Sequence, residues 1–365
     1  APPTDPAFPR PIKLTCPGEM RREKGQGSYL QSLIDGISED LLATGAVEIA
    51  VQRPRKKLLS RKHKIELNAP TVSCENAPPR PTIKYYSHPL PDHQYVDLIK
   101  TSDCGLLFYD SRAYFSRRAG VLGELLSCGK PVIVPAGSWL SEQIAEPIFE
   151  HAEQVIRDCK SIRTIATREF EWDSANVPLP GNVLSFDQSK NPFQFSINRQ
   201  TEENLMVLEF DWHWPEAPGT FCRIDFRQQD AAGITLKNTS RVIGHRRNNK
   251  KSNTIFELSP KTAVVEFSLS NAFHESTASI RRVQIRTLQR NNAIATHPIG
   301  AVGIIASDEA DLANCLREMV THFDHYRGTA MRFSNRWRAL HEPQATLDFL
   351  VDAYQQSGSA TRAFA

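Results

Sequence analysis

Along the first 160 residues, short apolar runs alternate with longer stretches in which apolar positions recur every three or four residues, the pattern of β–α–β units around a parallel sheet. Ile12-Lys13-Leu14-Thr15-Cys16 reads as the first strand, and between residues 27 and 45 the positions Leu30, Leu33, Ile34, Ile37, Leu41 and Leu42 fall on one helical face. Further strands are expected over residues 47–51, 82–86, 104–109 and 131–135, and helices over residues 92–102 and 117–128. Four or five parallel strands joined by crossover helices make a doubly wound sheet of the α/β class.

Near Thr164 the texture changes. Residues 193–197, 206–212, 221–226, 255–258, 264–269 and 283–285 are short runs that mostly alternate apolar with polar, spaced as in a β-sandwich. After Asn291 the helical period returns, with one more buried strand at residues 301–305 and helices over 309–326, 329–340 and 344–354. The simplest organisation is a Pro-rich linker (residues 1–11), an α/β domain made of residues 12–165 and 295–356, and an all-β sandwich inserted as residues 166–294. The length of 365 residues agrees with two or three domains at roughly 150 each.

Composition removes several classes of function. The 44 Lys and Arg against 41 Asp and Glu leave +3, too little for a global attraction to nucleic acid or an acidic membrane surface. No apolar run approaches the roughly 18 residues of a membrane-spanning helix, and no signal core stands at the start, so a cytoplasmic protein is expected. Seven scattered cysteines (Cys16, Cys74, Cys104, Cys128, Cys159, Cys222 and Cys315) form no C-x-x-C pair and read as free thiols, with no structural zinc. His213 and His274 lack ligand spacing, so no metal site is expected. The Pro-dense opening from Ala1 to Pro11 looks like a linker inside a longer protein.

Two segments could carry chemistry. Pro17-Gly18-Glu19-Met20-Arg21-Arg22-Glu23-Lys24-Gly25 follows the first strand, where doubly wound sheets bind ligands, and its cations suit a diphosphate; a solvated basic turn is the alternative. After the 104–109 strand, a polar loop from Asp110 to Arg118 leads to a helix beginning near Ala119-Gly120, whose free amides and dipole would favour an anion. Glu124, one turn into that helix, would reach a hydroxylated group beside the anion, or stand as an exposed helix carboxylate.

These segments resemble the family-4 retaining glycosyltransferases of the GT-B fold. Gly18 to Gly25 is similar to their G-x-x-R-x-x-K-G loop, and Ala119-Gly120-Val121-Leu122-Gly123-Glu124 through Gly129-Lys130-Pro131-Val132-Ile133 to their G-x-x-x-E-A-x-A-x-G-x-P-V-I block. The resemblance implies the Rossmann-like, donor-binding C-terminal half of such an enzyme, moving a hexose from a UDP- or GDP-linked sugar to a glycan or glycolipid acceptor, with no cofactor and no metal. It implies that Arg21, Lys24 and the amides of Gly120, Val121 and Leu122 hold the donor phosphates. By the same resemblance Glu124 holds the ribose, and Pro89 and Leu90 lie near the base.

One position departs from the family: the first of its paired glutamates is replaced by Ser116, which offers no carboxylate, with Asp110 as the candidate substitute. Nothing before Ile12 could form the N-terminal, acceptor-binding Rossmann-like half, so this chain alone is expected to bind nucleotide without transferring sugar. The alternative reading is a non-catalytic, degenerate transferase domain with a carbohydrate-binding β-sandwich, in which Trp172, Trp212 and Trp214, near His213, either stack on sugar rings or pack in the core. Two basic runs, residues 53–64 and 241–251, read as solvated loops; they leave peripheral contact with a membrane's inner face open, and nucleic acid is not an expected partner.

Overall fold

The computed structural model describes residues 11–18, 22–24, 47–52, 82–86, 89–114, 117–173, 194–196, 202–213, 221–244, 251–271, 279–290 and 297–342. In chain order its first elements are β1 (Ile12–Cys16), a 3-10 turn (Arg22–Lys24), β2 (Val47–Gln52), β3 (Thr82–Tyr86), α1 (Asp92–Thr101), β4 (Cys104–Leu106), α2 (Gly120–Ser127), β5 (Val132–Pro135) and α3 (Trp139–Asp158). There follow β6 (Lys160–Asp173), β7 (Gln194–Ser196), β8 (Leu205–His213), β9 (Phe221–Gln229), β10 (Thr235–Gly244), β11 (Lys251–Glu257), β12 (Val264–Asn271) and β13 (Ser279–Gln289). The last are β14 (Gly303–Ala306), α4 (Glu309–Thr321) and α5 (Phe323–Leu340). The expected helix over residues 27–45 and the last helix over 344–354 lie outside the described residues.

The fold is mixed α/β, with one parallel sheet and two antiparallel ones. Six strands form the parallel sheet in the order β14-β5-β4-β1-β2-β3. The chain winds outward from β1 to β3, returns to β4 on the other side of β1, and so reverses between β1 and β4. At such a reversal the loops leaving the carboxyl ends diverge and open a crevice. Both faces of the sheet are covered. Ile12, Leu14, Cys16, Leu106 and Ile133 face Leu312, Leu316 and Met319 of α4. Leu107, Val132 and Val134 face Leu122, Leu125 and Leu126 of α2 and Leu140 and Ile144 of α3. Burial on both sides explains why β5 is a continuous apolar run rather than an alternating one.

Gly105 sets how close α2 comes to the sheet. A Cβ there would stand 2.4 Å from the Leu125 Cδ1 atom, so the leucine occupies the space a side chain would fill. Two boundaries differ from expectation. The strand over 104–109 keeps ladder pairing only to Leu106, beyond which the Leu107 amide makes a single bond to the Ile133 carbonyl (3.0 Å). The helix expected from residue 117 starts at Gly120, because Ala119 is extended (φ −127°, ψ 108°). The 20-residue α3 was not anticipated, although Ser138 and Ser141 form a capping box at its start.

The two antiparallel sheets, ordered β10-β9-β12-β7 and β11-β8-β13-β6, lie between α3 and β14 in the sequence. They touch through Phe226 of β9 and Phe256 of β11, whose rings stack at 4.3 Å. The buried Gln228 side chain also donates to the Glu257 carbonyl (2.7 Å). β6 follows α3 directly and pairs with β13 from Lys160 to Asp173, so antiparallel structure begins before the change in texture seen near Thr164. Strand β10 was not expected from its polar sequence TLKNTSRVIG.

Guanidinium groups fasten this pair of sheets to the α/β part. Arg241 is not a solvated loop cation, as its basic run suggested: it lies on β10 and is ion-paired and hydrogen-bonded to Glu318 of α4. The Tyr326 hydroxyl donates to the other oxygen of Glu318 at 2.5 Å. Arg223 of β9 binds Asp225 (2.9 Å) and reaches Ser307 (2.8 Å) at the end of β14. The helix break expected between residues 326 and 329 falls instead at His322, with φ −117° and ψ 27°.

Histidines line the return path from β13 to β14. His151 of α3 donates through Nε2 to the His297 carbonyl (3.0 Å), and the His297 ring stacks on His325 of α5 at 3.6 Å, 9° from parallel. Gly300 has φ +109°, and a Cβ on it would meet the His325 backbone carbon at 2.7 Å, so only glycine fits.

Two predictions concern this framework. Gly105→Val forces Leu125 out of its place and is expected to lower the unfolding free energy by about 1–3 kcal/mol in urea titration; an unchanged midpoint would show that α2 does not depend on this contact. Burial lowers the His151 pKa from 6.5 to about 4, with the charges of Arg332, His297 and His325 acting in the same direction, and burial lowers His297 and His322 too. The unfolded chain then binds more protons than the folded one between pH 6.5 and 4, so stability present above pH 6.5 drains as the pH falls across that window, by up to about 3 kcal/mol from His151. Urea midpoints at pH 7.5 and 5 measure this; His151→Gln, which keeps a donor for the His297 carbonyl, is expected to flatten the dependence.

Candidate functional site

The crevice between the carboxyl ends of β1 and β4 is where the loop after β1 meets the start of α2. Gly18, at the exit of β1, takes φ +89°, a left-handed turn that glycine enters without strain. A Cβ on Gly18 would lie 3.4 Å from the Lys24 Nζ atom and 3.9 Å from the Val121 side chain. Two segments about a hundred positions apart, the loop after β1 and the start of α2, thus meet at one point. The Glu23 carbonyl accepts the Asp110 amide (2.9 Å), tying the 3-10 turn to the loop after β4, and the Lys24 ammonium stands 5.2 Å above the Tyr109 ring.

The start of α2 has no side-chain cap. The Leu122 amide donates to the Ala119 carbonyl (3.2 Å) and its side chain is fully buried. Of the three amides expected to hold phosphate, Leu122 is therefore turned inward, and Gly120 and Val121 are the two at the helix start whose N–H groups have no carbonyl one turn back to bind. Exposed Arg117 and Arg118 precede them, with Arg117 lying 5.3 Å from the Tyr114 ring. The amides, the dipole and the cations all favour an anion in this place.

Glu124 is exposed one turn into α2, and its Oε2 accepts a 2.5 Å hydrogen bond from the Tyr95 hydroxyl of α1. Burial, then the hydrogen bond from this carboxylate, push Tyr95 well above the ordinary phenol range. Pro89 and Leu90 lie in the loop after β3, immediately before α1. Asp110 is exposed, and its Oδ1 accepts the amides of Arg112 (2.9 Å) and Ala113 (3.1 Å), so its carboxylate holds the turn that follows β4. Tyr109 is buried with its hydroxyl lacking a hydrogen-bond partner among the described residues, as is the Thr15 hydroxyl. Burial pushes the Cys16 thiol up to about 12, which leaves it protonated and poorly nucleophilic.

Arg21 and Ser116 lie outside the described residues, as do Trp214 and His274. Trp172 lies on β6, and Trp212 and His213 on β8. Among the described residues, no three His, Cys, Asp or Glu side chains are grouped to hold a metal ion. No described helix is long and apolar enough to cross a membrane. Tyr95 and Tyr109 were missed as site residues by sequence reading. A tyrosine near the start of a helix that opens at the carboxyl edge of the sheet was the only available signal for Tyr95.

Two hollows lie elsewhere among the described residues. One of about 540 Å³ between α3 and α5 contains the stacked histidines and the Arg336–Glu150 pair (2.5 Å). Another, of about 530 Å³, between β10 and α4, contains Arg241, Glu318 and Tyr326, which bind one another.

No family model matches the chain, and no curated protein matches it. Among solved structures, it is similar to accessory secretory protein 1, 2 and 3 of Streptococcus pneumoniae at 13% identity, covering 36% of this chain and 73% of that one, with a TM-score of 0.20. It is also similar to the glycosylation-associated protein (Gap123) complex of Streptococcus agalactiae (15% identity, 33% of each chain, TM-score 0.19), so it spans a third of that chain's length. A third similarity is to the CBM22-1 xylan-binding domain of Paenibacillus barcinonensis Xyn10C (10% identity, 36% of this chain and 99% of that one, TM-score 0.21). Scores this low describe partial likeness and assign neither fold nor function.

A buried hydroxyl with no partner among the described residues, as at Tyr109, is expected to cost rather than contribute stability. Tyr109→Phe is expected to leave the unfolding free energy unchanged or raise it by up to about 1 kcal/mol, as measured by urea titration. A loss of 2 kcal/mol or so would reveal a hydrogen bond at this atom.

Proposed function

We propose that the crevice binds the diphosphate of a nucleotide-linked sugar, and that the chain is the donor-binding portion of a glycosyltransferase acting on a glycan or glycolipid acceptor. The observation that carries this is the meeting of Gly18, the Lys24 ammonium and Val121 at the uncapped start of α2. A nucleoside diphosphate leaving a sugar gains negative charge, and an ammonium and helix amides already aimed at that charge stabilise it without rearranging. On this reading Arg21 joins Lys24, Gly120 and Val121 donate from the helix start, and Glu124 accepts from the ribose hydroxyls. Pro89 and Leu90 flank the base. The strand order places the crevice at the topological switch point, and the two antiparallel sheets are read as an inserted β-sandwich.

A second reading has one observation in its favour. Asp110, the candidate substitute for the carboxylate absent at Ser116, already binds two backbone amides of its own turn. That supports a protein which binds the nucleotide sugar without transferring it.

Calorimetry with UDP and GDP tests the site. Lys24→Ala is expected to weaken binding by about tenfold or more, the worth of one charge-assisted contact, and to reduce its salt dependence while the urea midpoint holds. Equal affinity in the variant would remove the crevice from consideration. Sugar release from UDP- and GDP-hexoses by the full-length protein then separates transfer from binding alone.

A further inference from the structure

Resting on the reading of the crevice as a nucleoside-diphosphate site, we infer that Tyr95 is a positioning residue that fixes the Glu124 carboxylate as a reader of vicinal hydroxyls, so that the crevice selects ribonucleotides over deoxyribonucleotides. A glutamate on an exposed helix surface samples several rotamers, and ordering it has an entropic cost. Here the Tyr95 hydroxyl donates to Oε2 at 2.5 Å and holds the side chain in one of them. Oε1 lies 4.0 Å from where a Cβ on Gly120 would stand, on the side of the helix start where the phosphate is expected. One carboxylate oxygen is thus engaged by Tyr95, and the other lies near Gly120 at the start of α2.

Tyr95 is itself held firmly. Its amide donates to the Pro91 carbonyl (3.0 Å) in the first turn of α1, and its half-buried ring packs against the core beneath α2. Burial and the neighbouring carboxylate keep the phenol protonated, so it stays a donor at any physiological pH. Glu124, with no donor of its own, then accepts hydroxyl protons from a diol placed next to the diphosphate. A deoxyribose lacks one of those donors and leaves a charged acceptor unmatched, which sites of this kind reject.

The test is calorimetric titration of the full chain, wild type and Tyr95→Phe, with UDP, GDP and their 2′-deoxy counterparts, with urea midpoints as the folding control. The wild type is expected to prefer the ribonucleotide by about tenfold or more, and the variant by no more than about twofold, through weaker ribonucleotide binding at constant deoxynucleotide affinity. Glu124→Gln is expected to lose the preference in the same way. A preference that survives Tyr95→Phe overturns the inference alone, as does an equal loss of both affinities in a folded variant, which is a purely structural effect. A wild type that binds both forms equally removes Glu124 as a hydroxyl reader and leaves the phosphate site standing. A wild type that binds neither removes the reading of the crevice, and this inference with it.

Discussion

The crevice depends on the contact between Gly105 and Leu125. With no side chain at position 105, α2 lies directly on the middle of the parallel sheet, and the leucine fills the vacated space. Lifting the helix by the thickness of a methyl group would carry Gly120 and Val121 away from Gly18 and Lys24, which meet them from the end of the neighbouring strand. Close packing therefore sets the geometry on which the electrostatics acts: amides and an ammonium favour an anion only if they converge.

The antiparallel sheets are attached by a different kind of interaction. Arg223 and Arg241 cross from the sheets to β14 and α4, and each finds a carboxylate or a hydroxyl waiting there. A partly buried ion pair adds little net stability over apolar packing, yet a mismatched partner is costly, so pairs of this kind specify how two surfaces meet. The same junction borders one hollow of about 530 Å³, in which Arg241, Glu318 and Tyr326 bind one another.

At the switch point the first amides of α2 have no capping side chain, and the second Glu124 oxygen lies 4.0 Å from where a Cβ on Gly120 would stand. Asp110 shows the contrast, since its carboxylate is spent on the turn that delivers the chain to α2.

The alternation of apolar runs and helical stretches by itself determined β1 to β5, α1 and α2 to within a few residues, and the return of the parallel sheet at β14, because side-chain period is a local property that burial on one or two faces imposes. The Gly18 to Lys24 loop and the helix start at Gly120 were legible for the same reason: strand, turn glycine and helix follow one another in sequence. Strand β10 was not, since its residues are polar and its place comes from pairing with β9 and from the Arg241 contact to Glu318, 77 positions away. Nor was the Tyr95–Glu124 pair, whose members are 29 positions apart on two helices. Tertiary structure alone decided which cations would be buried and paired, and which hydroxyl would hold Glu124, because those outcomes depend on distances in space between groups that the chain's local pattern leaves unrelated.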